Sequence, residues 1–203
     1  MNNNELDRMD KEMKYDEVMK EMIMDYLKID KYERIINNLH KMDISTKDNQ
    51  FKDDFNSYYM VRRDPTWQEK YYTYFQNIKD KDKDSLSFSK ILQDISFDDK
   101  VESSFASKML ATIDQDKPII DKNILNYFKL KIDGSTKEER IDKAIKVYDT
   151  IEKEYKKLLR NDEINSTIDK LKKLIDKNDI SETKILDYIL WCKGKEKNSK
   201  NWL

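Results

Sequence analysis

Along most of the chain, apolar residues recur at intervals of three and four, the spacing of a helix with one buried face. The clearest stripe is Ile141, Ala144, Ile145, Tyr148, Ile151, Tyr155, Leu158 and Leu159, which keeps a period of 3.6. Thr136 and Glu139 precede it at capping-box spacing, so a long helix is predicted from there. Further helices are predicted over Lys31–Lys41, over Ile164–Ile175 and over Ser181–Cys192. A first helix over Asn4–Leu27 carries a looser, methionine-rich stripe. Methionine stripes serve either as adaptable partner grooves or as the inner face of an edge helix.

The middle of the chain is aromatic. Phe51, Phe55, Tyr58 and Tyr59, then Trp67, Tyr71, Tyr72, Tyr74 and Phe75, fill two helices separated at Asp64–Pro65. Asp64 is a good N-cap and Pro65 suits a first helical position. Arg62 and Arg63 stand beside this break. Aromatics interleaved with arginine stack nucleic-acid bases in some proteins and build a core in others. After a run of alternating charge, Lys79 to Asp84, read as a solvated loop, Ser85 or Ser87 opens a short helix through Ile95. Another helix is predicted from about Lys100 to Ile113, with Val101, Phe105, Met109 and Ile113 facing inward. The lysine-rich stretch after Cys192 is expected to fray.

Composition sharpens this picture. Two Gly and two Pro in 203 residues are too few for the turns of an all-β fold, and neither a P-loop nor a dinucleotide fingerprint can be built from Gly134 and Gly194. The fold class is therefore all-α: a compact bundle of about eight to ten helices. It reads as a single domain, and the run at 79–84 offers a join between two lobes, 1–80 and 85–193. Charged residues make up 40%, but they nearly cancel to a net charge of -1, and aromatics reach 11%. That aromatic payload argues for a packed core rather than a disordered chain. One Cys and one His, Cys192 and His40, exclude a disulfide framework and a structural zinc site. His40 lies beside an apolar stripe and reads as structural. No metal or cofactor is expected. The polar start of the chain and the lack of any apolar run near the ~18 residues of a membrane span predict a cytoplasmic protein with no membrane partner.

One segment carries more. Ser103-Ser104-Phe105-Ala106-Ser107-Lys108-Met109-Leu110, followed by Pro118-Ile119-Ile120-Asp121 and Lys122-Asn123-Ile124-Leu125, resembles the core of the helix-hairpin-helix DNA glycosylases, in particular bacterial 8-oxoguanine glycosylase-like proteins. The later Lys184-Ile185-Leu186-Asp187-Tyr188-Ile189-Leu190-Trp191 is similar to the C-terminal helix of small bacterial proteins with the same segments. The resemblance implies DNA as the partner and excision or recognition of a modified base, turned out of the stack into a pocket. It places the catalytic carboxylate at Asp121 and the Schiff-base amine at Lys108. Arg62 and Arg63 are the candidate DNA contacts.

Each residue also has a plainer role. Asp121 is well placed to be only a helix cap, and Lys108, at the edge of its helix's inner face, to be only a snorkelling lysine. The competing expectation for the whole chain is a non-catalytic helical phage or mobile-element protein that binds a host protein. An exposed apolar patch, such as the methionine-rich first helix offers, would mark that function. The glycosylase reading instead expects Lys108, Asp121, Arg62, Arg63 and several tyrosines to converge on one cleft.

Overall fold

The computed structural model describes residues 28–47, 49–176 and 179–199. The helix expected over Asn4–Leu27 lies outside them. Among the described residues there are nine α-helices and no strand: α1 Ile29–Leu39, α2 Gln50–Tyr59, α3 Pro65–Ile78, α4 Phe88–Ile95, α5 Ser103–Ile113, α6 Lys122–Phe128, α7 Lys137–Leu158, α8 Asp162–Ile175 and α9 Glu182–Ser199. None of them is long and apolar enough to cross a membrane.

The helix starts are written in local chemistry. Asn49, Asp64, Ser87, Asp121 and Asn161 each accept a backbone N–H of the first turn, and Pro65 follows Asp64. At Thr136 both halves of the capping box form with Glu139. Each such cap is worth about 1 kcal/mol.

Elsewhere the structure departs from expectation. α1 begins two residues early and stops at Leu39, and α5 begins at Ser103 rather than near Lys100. Lys79, placed in a solvated loop by its charge pattern, is buried. Its Nζ donates to the carbonyls of Leu39 and Met42, 2.8 and 2.6 Å away, and so closes the exposed end of α1 onto α3. His40 lies outside the core and meets Asp80 through Nδ1 at 2.6 Å.

The aromatic block is core. Phe51, Phe55, Tyr71, Tyr72 and Phe75 are all fully buried, with ring centroids 5.3–6.5 Å apart in mostly edge-to-face pairs. One continuous apolar cluster runs from Ile29 through these rings to Cys192, so residues on both sides of 79–84 share it.

α5 runs through the middle. Every residue from Ala106 to Ile113 is buried, so this helix has no solvated face and must bury its polar side chains too. α9 is similar from Thr183 to Leu190. It packs most extensively on α6, and the contact explains Gly194. A Cβ there would stand 2.0 Å from the carbonyl oxygen of Asn123, which no side chain can do. Glycine at 194 lets the two helices approach, and α9 continues past Cys192 to Ser199 instead of fraying at Lys193.

Candidate active site

Where α2, α5, α6 and α9 meet, they enclose a cavity of about 360 Å³, within the range of small-molecule sites, roughly 300–1,000 Å³. Lys108 on α5 and Asp121, the N-cap of α6, both line it. So do Tyr58, Tyr59 and Met60 at the end of α2, and Lys184, Asp187, Tyr188 and Trp191 on α9.

The Phe-Ala-Ser-Lys segment builds this arrangement by specific contacts. Ala106 is fully buried. The Ser107 hydroxyl donates to the Ser104 carbonyl at 3.0 Å and accepts the backbone N–H of Ile120 at 2.7 Å. That bond ties the extended strand of chain before Asp121 to the helix that carries Lys108. The Ile119 N–H in turn donates to Asp187, drawing in α9. Ser181, ahead of α9, donates to the Gln115 carbonyl and accepts the Lys184 N–H, which fixes where the helix starts. Three sequence-distant pieces are therefore held in register by backbone-directed hydrogen bonds rather than by packing alone.

The two lysines differ in their partners. Lys184 is 5% exposed, and its Nζ lies 3.7 Å from Asp187 Oδ2. Four tyrosine rings surround it, with centroids at 4.7 Å (Tyr32), 5.0 Å (Tyr188), 5.4 Å (Tyr58) and 5.8 Å (Tyr59). Lys108 is 8% exposed and sits 5.3 Å from the rings of Tyr59 and Phe105. Among the described residues no carboxylate comes within 4 Å of it. Burial pushes the Lys108 ammonium below the usual lysine range. Asp121 opposes that shift and Lys184 adds to it. Burial lowers Lys184 as well, against the pull of Asp187.

Asp187, 2% exposed, is pushed up to about 6 by burial, although Lys184, the Tyr155 hydroxyl at 2.5 Å and the Ile119 N–H all favour its charge. Burial thus works on both members of the Lys184–Asp187 pair, driving each towards its neutral form. Asp121 is half-buried. Its Oδ1 is taken by the Asn123 N–H at 2.8 Å, the capping contact expected of it.

Chemically, the site offers a buried amine with a depressed pKa and, on the same cavity lining but out of contact with it, a half-buried carboxylate, under aromatic walls. That set suits nucleophilic attack by an amine or stabilisation of a developing cation. Among the described residues no three His, Cys, Asp or Glu side chains gather as a metal site.

The structure brings Lys108 and Asp121 together and leaves the two arginines out of the cavity. Arg63 gives its Nη2 to the buried Glu102 at 2.7 Å, with its guanidinium over Trp67 and Phe105, and so seals the loop before α5. Arg62 is exposed. Sequence reasoning missed the roles of Lys184 and Asp187, although a signal for them existed. Ile185, Leu186, Ile189 and Leu190 cover one face of the helix, and Tyr188, Trp191 and Cys192 carry apolar surface round the rest, so its charged residues had to be buried as well.

Comparison with protein-family models, with curated proteins and with solved structures gives no match.

Proposed function

We propose that the protein acts on DNA in the manner of a helix-hairpin-helix glycosylase, taking a modified base into the cavity at α5, α6 and α9. The observation that carries this reading is the meeting of Lys108 and Asp121 in one aromatic-walled cavity. They are the two residues that the resemblance singles out, and they come from different helices.

In this reading an unstacked base enters between the tyrosines, where stacking is worth about 1–3 kcal/mol per base. The Asp121 carboxylate stabilises positive charge on the sugar as the glycosidic bond breaks. The Lys108 amine attacks C1′, and its depressed pKa supplies the neutral form this needs. Met60 takes a further role. It is the large apolar side chain exposed among the described residues, at 64%, and it stands at the cavity mouth on a left-handed backbone with φ of 51°. An apolar wedge of this kind fills the gap that an extruded base leaves. Lys28 at the cavity, and Arg62 two residues beyond Met60, are the phosphate contacts.

The test is a gel assay on labelled duplexes bearing modified, damaged or mismatched bases at low salt. Asp121→Asn and Lys108→Met are run beside the unaltered chain. Base release is expected, with its loss in Asp121→Asn while circular dichroism stays unchanged. Neither release nor binding across the panel would sink the proposal and leave the host-protein reading, to be pursued by pull-down.

A further inference from the structure

We infer that Lys184 is a positioning residue whose buried charge adds to the burial of Lys108 itself in holding that amine in the neutral form that a nucleophile needs. This rests on reading the cavity as the reactive site, but its test uses no DNA. A failure here is therefore distinct from a failure of base release.

Geometry decides which lysine carries the charge. Both ammonium groups lie within 6 Å of the same Tyr59 ring, at 5.3 and 5.8 Å. Two like charges in one poorly hydrated pocket disfavour each other, so the first proton leaves the less supported amine. Lys184 has a carboxylate at 3.7 Å and four ring faces, which favour a cation. Lys108 has two rings and no carboxylate in contact. Its backbone is fixed where it stands, since its carbonyl accepts the Thr112 hydroxyl at 2.7 Å.

The other groups facing the pair do not reverse this order. Tyr32 on α1, Tyr58 and Tyr59 on α2, Tyr155 on α7 and Tyr188 on α9 are all pushed up by burial and stay neutral. Lys28 before α1 is exposed to water, which screens it. Asp121 favours the charge of both lysines. Asp187 stands 3.7 Å from the Lys184 ammonium, whereas among the described residues no carboxylate comes within 4 Å of Lys108, so the carboxylate supports Lys184 first. A lysine lowered by burial and by a second cation is a recognised way of making an amine nucleophilic near neutral pH.

The experiment is competitive labelling of the full chain with trace acetic anhydride from about pH 6 to about pH 11, read lysine by lysine by peptide mass spectrometry. The Lys108 midpoint is expected below that of Lys184 and below that of the exposed Lys170. In Lys184→Met the Lys108 midpoint rises by about one unit, roughly a tenfold loss of neutral amine near pH 7. In Lys184→Arg, which keeps the charge, it stays within a few tenths of a unit. Equal Lys108 midpoints in the unaltered chain and in Lys184→Met would overturn the inference. If Lys184→Met does not fold, the order of midpoints in the unaltered chain decides: Lys184 losing its proton before Lys108 overturns the inference equally.

Discussion

The end of α3 and the cavity at α5 and α9 both bury lysine ammonium groups, and they do so in opposite ways. At the end of α3, Lys79 gives its hydrogen bonds to two carbonyls, that of Leu39 at the end of α1 and that of Met42 in the turn after it. Its burial completes the backbone's own hydrogen bonding, and nothing about it asks for a ligand. In the cavity, Lys108 has ring faces and a distant carboxylate but no hydrogen-bond acceptor among the described residues. Burial alone is therefore no mark of a site. What marks one is a buried polar group whose partners are missing, next to open volume that a ligand can fill.

The largest effect expected from this contrast lies at Asp187. Replacing it by Ala leaves Lys184 buried with only ring faces, and breaking a buried pair in this way costs about 3–5 kcal/mol. Urea unfolding of Asp187→Ala measures the loss. Lys184→Met combined with Asp187→Leu should recover most of it, because both charges then disappear together.

Next comes Lys79→Met. It orphans the Leu39 and Met42 carbonyls and should cost about 1–3 kcal/mol, while leaving the Lys108 labelling midpoint where it was. A shifted midpoint would break the distinction between the two regions.

A smaller effect appears in the pH dependence of stability. A carboxyl raised to about 6 in the fold binds its proton more tightly there than in the unfolded chain, where its pKa is about 4. The folded chain therefore binds more protons between those values, and this group's contribution falls as pH climbs through that window. The slope reaches at most about 1.4 kcal/mol per pH unit. Asp187→Asn should remove it from a series of unfolding curves. An unchanged slope would assign the proton elsewhere.

Smallest in stability is Lys108→Met. It replaces an ammonium without an acceptor by an apolar side chain of similar length, so stability should stay within about 1 kcal/mol or rise. Base release should nevertheless be lost. Destabilisation as large as that of Asp187→Ala would mean that Lys108 has a structural partner.

Much of the fold was legible in the sequence because its signals are local. Asp64–Pro65, Ser87, Asp121 and the Thr136–Glu139 box each satisfy N–H groups within three residues, and each starts a helix where expected. Lys108 and Asp121 were singled out through one short segment and line one cavity, and the structure adds the reason for its serine: the Ser107 hydroxyl holds Ile120. Lys79 was misread because alternating charge looks the same whether a lysine faces water or reaches back to cap another helix. Arg63 was read as a DNA contact, but the Glu102 that pairs with it lies 39 positions away. Gly194 fell in the lysine-rich stretch that was expected to fray. Only its distance to Asn123 shows that glycine is what lets α9 pass α6.

The chain's local pattern thus determined its helices, most of their starts, the all-α class and the aromatic core, since period, capping and side-chain volume act over a few residues. Tertiary structure alone decided which lysines are satisfied and which are left with a cavity. A buried charge takes its energy from partners brought in from other helices, and Lys184, Asp187, Tyr155 and Tyr59 meet only when α2, α7 and α9 close around α5.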